Sequence, residues 1–205
     1  MIPIWLAPAL AALGAVLSEG VPQIVLYHGG RWQGAPQILP PKKGRAEHGA
    51  GIYLTTSWSR AKSYAKGGGV VYQICIDPPQ KWAEHAFIPL EEVEAFLVRT
   101  FGRGRTGKEL LEACRRVSSR TNGFVQASSL IAIVVNADAS SGNKGPLLAD
   151  FLSSLGIGAS HVRQSDEDWV VLFDPRLVRS VHRLTPADVN EPGFLFDRPF
   201  ERPRP

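Results

Sequence analysis

The sequence has little cysteine and no cysteine–histidine pattern typical of a zinc site. Of its 205 residues only Cys75 and Cys114 are cysteines, and neither belongs to a CxxC pair. Zinc ligands normally recur at short fixed spacings, so we expect no metal. We interpret both cysteines as buried, reduced thiols, and a disulfide between them is left open at this stage.

The sequence also has no long run of one charge and no phosphate-binding loop of the GxxxxGK[ST] type. Its net charge of +4 comes from short basic clusters, such as residues 42–45 (KKGR) and 103–105 (RGR). Glycines 67–69 follow a predicted helix and precede a predicted strand, which is the reverse of the order in that loop. Most of the clusters are interpreted as solvated surface, and contact with an anion such as a dinucleotide or a nucleic acid is the alternative.

The first 17 residues lack charged side chains, and no lysine or arginine precedes them as in a signal peptide. Pro3 and Pro8 interrupt the segment, and its length is at the short limit for a bilayer span. We favour a helix packed on the domain or on a partner, with a membrane anchor and an atypical export signal as alternatives. The expected organisation is a segment at 1–20, a domain at 21–189 and a Pro/Arg-rich extended tail at 190–205.

Apolar patterning predicts short strands distributed among helices, which indicates an α+β fold with a mostly antiparallel sheet. The clearest strand is residues 70–77 (VVYQICID), because it is rich in β-branched residues and bounded by glycine and proline. The pattern at 123–135 fits either a strand or a helix. The other predicted strands are 23–28, 51–55 and 169–173, and the predicted helices are 57–66, 90–101, 106–120 and 146–155.

Three short segments of the chain contain side chains that could carry chemistry. Taken singly, each pattern is more typical of a turn, a core strand or a solvated loop. Their order along the chain is more informative than any one of them. The segments are LYHGG at 26–30, GIYLT at 51–55 with SYA at 63–65, and DEDWVVLFDP at 166–175.

In this order the segments resemble the ADP-ribosyltransferase superfamily of the diphtheria-toxin and poly-ADP-ribose-polymerase type. That family carries a Tyr-His-Gly-like strand end, a Gly-x-Tyr-Phe/Leu-Thr-like strand, an Ala…Tyr-Ala helix and an acid heading a late strand. Ten residues separate Tyr53 from Tyr64, as in the diphtheria-toxin branch. The run from Leu155 to Pro175 also resembles bacterial and phage members. The resemblance covers about residues 23–184 and implies an ADP-ribosyltransferase-like fold with split, mostly antiparallel sheets and flanking helices.

The resemblance implies a binding site for NAD⁺ as a substrate. His28 would hydrogen-bond a ribose of NAD⁺, and the backbone of Gly29 would approach the nicotinamide amide closely. Tyr53 and Tyr64 would stack on the cationic nicotinamide ring. Arg45, like His48 and Arg60, lies near the motifs, where it would contact the pyrophosphate or form ordinary surface. The expected NAD-binding residues are His28, Gly29, Arg45, Tyr53, Thr55 and Tyr64.

The catalytic set implied by the resemblance is His28, Tyr53 and an acid that stabilises the positive charge developing on the ribose. The family acid directly precedes the aromatic residue of the late strand, which makes Asp168 the first choice. Glu167 is the second choice, because a shift of one residue turns a side chain to the other face of a sheet. Trp169 is interpreted as a core residue.

These expectations leave three functions open. The first is a mono-ADP-ribosyltransferase that modifies a protein or a nucleic acid, by analogy a bacterial or phage toxin or effector. The second is an NAD glycohydrolase, with water as the acceptor, and the third is an inert module that binds a partner. The bacterial host cytoplasm is the favoured location, with export or delivery by a phage particle as alternatives. The acceptor has no readable motif.

Overall fold

The structure is a computed structural model that describes residues 23–32, 34–41, 47–67, 69–164 and 166–200. The apolar segment at the N-terminus and Arg45 lie outside these ranges. Within the described part, no helix has the length and apolar character needed to cross a membrane. Both cysteines are described and both are free thiols, with Cys114 buried as expected and Cys75 only partly so.

Seven strands form one sheet in which a single pair of neighbours, among the residues described, is parallel. The described residues form nine strands in all, of which two lie outside this sheet. They are β1 (Ile24–Gly30), β2 (Ile52–Thr55), β3 (Val70–Ile76), β4 (Lys81–Trp82), β5 (Phe87–Pro89), β6 (Phe124–Gln126), β7 (Ile157–Arg163), β8 (Asp168–Leu172) and β9 (Val178–Arg183). The order across the sheet is β4-β7-β8-β2-β1-β3-β9, with β4 and β7 parallel. Strands β5 and β6 form a separate pair. The expected mostly antiparallel sheet is confirmed, as one large sheet beside one small one.

Helices flank this sheet, and four of the six described correspond closely to helices predicted from the sequence. They are α1 (Trp58–Tyr64), α2 (Leu90–Phe101), α3 (Arg105–Ser118), α4 (Ala127–Asn136), α5 (Lys144–Ser154) and α6 (Pro186–Asn190). The ambiguous run at 123–135 divides into β6 and all but the last residue of α4. The sequence does not predict strands β4, β5, β7 and β9 or helix α6. In β7 and β9, glycine and charged residues interrupt the apolar alternation that identifies a strand.

The two faces of the sheet bury different cores because side chains alternate along each strand. On β8, Val171 belongs to the same core as buried residues of helices α2 to α5, including Phe96 and Leu130. Its neighbours Val170 and Leu172 belong to the core on the opposite face. Whether a residue occupies an odd or an even position on β8 therefore determines on which face of the sheet its side chain lies.

The last described residues pack against the corner between β2 and α1. The N–H of Trp58 donates to the carbonyl oxygen of Phe196 at 2.7 Å, and the N–H of Arg198 donates to the carbonyl of Thr56 at 3.0 Å. The Trp58 and Phe196 rings also meet edge to face, with centroids 5.4 Å apart. The expected extended tail is thus held along residues 194–200 by backbone pairing and aromatic contacts.

Gly29 lies where the end of β1 meets the backbone of α1. A Cβ atom built on Gly29 would be 1.6 Å from the carbonyl oxygen of Ala61. The backbone of Gly29 does not require glycine, since its φ lies outside the left-handed region. Space therefore dictates the residue, and the contact positions α1, with Arg60 and Tyr64, beside the strand that carries His28.

We predict that Gly29→Ala lowers the free energy of unfolding by about 1–3 kcal/mol, because the added methyl group overpacks a backbone contact that cannot move aside. Urea denaturation measures this change. Gly104→Ala is the control, because a Cβ atom there meets nothing within 4 Å. Its cost should be smaller and come mainly from the helix N-cap position that Gly104 occupies. Equal costs for the two variants would contradict the steric explanation.

Candidate functional site

A cleft of about 750 Å³ opens beside β1, β2, α1 and the loop between β7 and β8. This volume is within the range of roughly 300–1,000 Å³ that is usual for small-molecule sites. The cleft collects residues from three distant parts of the chain. Six of the residues singled out in the sequence line it, namely His28, Gly29, Tyr53, Thr55, Tyr64 and Glu167.

Strand pairing explains why these residues meet. Strand β2 lies between β1 and β8, with Thr55 opposite Tyr27 on one side and opposite Trp169 on the other. The end of β2 is therefore level with the end of β1 and the start of β8. Helix α1 follows β2 after two residues and so begins at the same edge of the sheet.

The imidazole of His28 is oriented by a hydrogen bond between its Nδ1 atom and the carbonyl oxygen of Tyr53, at 2.9 Å. A carbonyl oxygen only accepts, so Nδ1 carries the proton. Burial lowers the pKa of His28, although the hydrogen bond to Tyr53 opposes this effect. A neutral ring with a proton on Nδ1 leaves Nε2 as a hydrogen-bond acceptor.

Tyr53 is tied to the turn at 47–49 through its hydroxyl group. The hydroxyl donates to the carbonyl oxygen of Gly49 at 2.7 Å and accepts from the N–H of His48 at 3.1 Å. Burial raises the pKa of Tyr53 to about 12, so the phenol stays protonated and continues to donate at neutral pH. The ring position is thereby fixed by two backbone groups of the cleft wall.

Both tyrosines contact Trp169, the residue that sequence reasoning assigned to the core. The ring centroid of Trp169 lies 6.1 Å from that of Tyr53 and 5.6 Å from that of Tyr64, and each pair is nearly perpendicular. Tyr64 is 57% exposed, in contrast to Tyr53. Edge-to-face packing leaves part of each aromatic face directed elsewhere, and together the three rings form an aromatic wall of the cleft.

Glu167 is the acid that lies in the cleft, and both of its carboxylate oxygens have partners. Oε2 accepts from the Thr55 hydroxyl at 2.9 Å, and Oε1 accepts from Nε of Arg60 at 2.6 Å. The residue is only 9% exposed. Paired hydrogen bonds offset the cost of burying a charged group and hold the Glu167 carboxylate in a fixed position in the cleft lining.

Asp168, the first choice from sequence, points away from the cleft. Its Oδ1 atom lies 2.6 Å from Nε2 of His161, and it does not line the cleft. The reason is strand alternation: Asp168 shares a face with Val170, whereas Glu167 shares the opposite face with Trp169. The order of preference between the two acids is therefore reversed.

The sequence left Arg60 as either a pyrophosphate contact or ordinary surface, and in the structure it lines the cleft and contacts Glu167. The signal that could have identified it is its spacing of four residues from Tyr64. Residues four apart lie on the same face of a helix, so α1 presents both side chains to the cleft. Among the described residues that line the cleft, Arg60 alone carries a permanent positive charge.

Acidic residues account for the remaining charges of the described cleft lining. Glu47 lies at one side, while Asp166 and Glu167 lie in the loop that precedes β8. Within the described part of the chain, no group of three or more histidine, cysteine or acidic residues is arranged to hold a metal ion. The described residues that line the cleft can form hydrogen bonds, stack on aromatic rings and stabilise positive charge.

Comparison with known proteins finds little that resembles this chain. No protein-family model matches it, and no curated protein matches it. A solved structure described as "Crystal structure of an anti-CRISPR protein" aligns at 12% identity over 79% of this chain and 96% of that one. The TM-score is 0.35, so this likeness carries no argument about fold or activity.

We predict that Tyr53→Phe lowers the free energy of unfolding by about 1–2 kcal/mol, because the Gly49 carbonyl loses its hydroxyl donor and the His48 N–H loses its acceptor. Amide hydrogen exchange should also become faster at His48. Tyr64→Phe is the matched control, since it removes the same atom from an exposed tyrosine and should leave both quantities nearly unchanged. A Tyr53→Phe variant that behaves like the control would show that the hydroxyl does not hold the turn.

Proposed function

We propose that this protein has an ADP-ribosyltransferase-like fold and cleaves NAD⁺, passing ADP-ribose to a protein or nucleic-acid acceptor. The observation that carries the proposal is the meeting of His28, Tyr53, Tyr64 and Glu167 in one cleft. Glu167 lies more than 100 positions from the other three along the chain, and all four are the residue types that the resemblance to this superfamily requires. The cleft volume is also appropriate for a bound nucleotide.

His28 supplies a hydrogen-bond acceptor for a ribose hydroxyl. Its Nδ1–H donates to the backbone of Tyr53, so the unprotonated Nε2 is left for a ligand. The low pKa that burial imposes favours this neutral form at physiological pH. His28 therefore acts by binding and orienting the sugar.

The aromatic wall of Tyr53, Tyr64 and Trp169 suits the nicotinamide ring. In NAD⁺ this ring is flat and carries a positive charge, and such rings stack favourably on aromatic faces. Tyr64 is exposed enough for its ring to adjust to a ligand, whereas Tyr53 is held by its two backbone hydrogen bonds. Tyr53 would thus position the nicotinamide leaving group, and Tyr64 would cover it.

Glu167 supplies the negative charge that stabilises the reaction. The bond that breaks joins C1′ of the ribose to the nicotinamide nitrogen, and its electron pair leaves with nicotinamide, which becomes neutral. An acceptor nucleophile then provides the electron pair for the new bond to C1′ and loses its proton. Positive charge accumulates on the ribose in between, and a carboxylate already fixed in place by Thr55 stabilises it without reorganisation.

We predict that Glu167→Gln lowers the rate of nicotinamide release by at least about a hundredfold, as expected when a preorganised electrostatic group is removed. Asp168→Asn is the matched control, because it makes the same chemical change at the adjacent residue outside the cleft and should stay within a few fold of wild type. The assay follows nicotinamide release from NAD⁺ together with transfer of ³²P label to macromolecules in a bacterial lysate.

Each outcome of this assay has a definite meaning. Label transfer that disappears in Glu167→Gln supports the transferase and provides its acceptor for identification. Nicotinamide release with free ADP-ribose and no labelled macromolecule identifies an NAD glycohydrolase instead. An absence of nicotinamide release from folded wild-type protein rejects the enzymatic proposal, and the inert binding module then becomes the better explanation.

The protonation state of His28 gives a second prediction. Affinity for NAD⁺ should be constant near pH 8 and fall as the pH drops through the pKa of His28, which lies below the ordinary 6.5, because protonated Nε2 no longer accepts a hydrogen bond. Binding titrations between pH 5 and pH 8 measure this dependence. His28→Gln, which does not titrate, should bind more weakly with no such transition, and a transition that persists in it would exclude His28 as its source.

A further inference from the structure

Arg60 occupies an unusual position for a half-exposed arginine. Its Nε atom donates to Oε1 of Glu167 at 2.6 Å, and its side chain is 52% exposed although its partner is buried. In the described part of the chain, its two terminal nitrogens have no hydrogen-bond partner. A guanidinium group has five N–H donors, so most of the donor capacity of this cleft-lining residue remains available to a ligand.

The charges around Arg60 determine which ligand group it can bind. Its neighbours in the described cleft lining include the acids Glu47, Asp166 and Glu167, and no other permanent cation. An anion that enters this cleft therefore finds one favourable side chain. A diphosphate fits this group well, because the planar fork of an arginine binds two phosphate oxygens at once.

The same arginine works against the proposed role of Glu167. A guanidinium 2.6 Å from the carboxylate offsets the negative charge that would stabilise a positive ribose. The conflict disappears if a ligand anion pairs with the Arg60 guanidinium in place of Glu167. The carboxylate would still keep its hydrogen bond from Thr55 and so would remain in position.

We propose that Arg60 is shared between Glu167 and the diphosphate of a bound dinucleotide, so that diphosphate binding frees the Glu167 charge for the reaction. This inference rests on the proposed function for its substrate. It identifies Arg60 as a positioning and specificity residue. It also defines the substrate class as nicotinamide nucleotides that carry a diphosphate, in preference to nicotinamide riboside, which lacks one.

Binding of ADP to the purified protein tests the shared contact without any turnover. By isothermal titration calorimetry, Arg60→Gln should bind ADP about tenfold more weakly than wild type, because a charge-assisted hydrogen-bond pair is lost. Glu167→Gln should bind ADP several fold more tightly than wild type, because the competitor for Arg60 has lost its charge. An acidic residue whose neutralisation merely disturbed the fold would not strengthen binding.

A second ion pair provides matched controls. Nε of Arg115 lies 2.6 Å from Oε1 of Glu94, and the arginine side chain is 58% exposed, so this pair resembles Arg60–Glu167 in length and in arginine exposure. It joins α3 to α2, away from the cleft. Arg115→Gln and Glu94→Gln should leave the affinity for ADP unchanged, and circular dichroism checks that all four variants fold.

Turnover provides the complementary measurement. Wild-type protein should release nicotinamide from NAD⁺ at least about tenfold faster than from nicotinamide riboside at saturating concentrations, a difference in kcat and not only in KM. In Arg60→Gln the ratio of the two kcat values should approach one, because no cation remains to offset Glu167. A kcat ratio in Arg60→Gln equal to that of wild type would overturn the proposal that the diphosphate replaces Glu167 as the partner of Arg60.

The two proposals fail in different ways. Undetectable ADP binding by wild type, or equal ADP affinities of wild type and Arg60→Gln, would overturn the role of Arg60 even if NAD⁺ is cleaved. Unchanged or weaker ADP binding in Glu167→Gln would overturn the competition. Absence of nicotinamide release from NAD⁺, alongside the expected ADP affinities, would reject the proposed function and keep Arg60 as a phosphate contact shared with Glu167.

Discussion

The placement of β2 between β1 and β8 is the constraint on which the candidate site depends. It brings Thr55 level with Tyr27 on one side and with Trp169 on the other. The resulting hydrogen bond from Thr55 to Glu167 joins residues 112 positions apart in the chain. A shift of one residue in either register would turn Tyr53 or Trp169 to the opposite face and separate the aromatic wall from His28.

Burial of Glu167 shows how the fold maintains a charge at this point. An isolated carboxylate would be costly to remove from water, but a hydroxyl donor and a guanidinium donor satisfy both of its oxygens. The Thr55 hydroxyl also accepts from the N–H of Ser57, which anchors the start of α1 to the same group. The acid, the strand end and the helix that carries Arg60 are thus parts of one hydrogen-bonded unit.

Packing of the last described residues supports this unit. Phe196 and Arg198 pair with backbone groups between β2 and α1, and Phe200 lies 4.7 Å from the His161 ring that contacts Asp168. Asp168 therefore has a structural partner of its own beside the tail. The adjacent acids Glu167 and Asp168 have separate roles because one sheet face contributes to the cleft and the other to the core beneath the tail.

The local sequence predicted the elements that carry strong local signals. β-branched runs between glycine and proline identified β3, apolar spacing identified α2, α3 and α5, and the order of short motifs selected His28, Tyr53 and Tyr64. Weaker patterns were missed: β7 and β9 contain glycine, arginine and histidine at positions where a strand usually alternates, and long-range pairing stabilises them in compensation. The role of Trp169 in the cleft could not be distinguished from that of a core tryptophan, since both require a large aromatic residue in a strand.

Sequence alone determined which residue types stand at the strand ends. It also identified Glu167 and Asp168 as the two candidates for the acid beside Trp169. Only the tertiary structure decided between them, because the face on which a side chain lies depends on how β8 pairs with β2 and β7. The contact between Arg60 and Glu167 was likewise decided by tertiary structure, since 107 positions separate the two residues and no local pattern encodes their approach. Local propensities act over a few residues, whereas a site at a sheet edge is built from strands that meet only after the chain has folded.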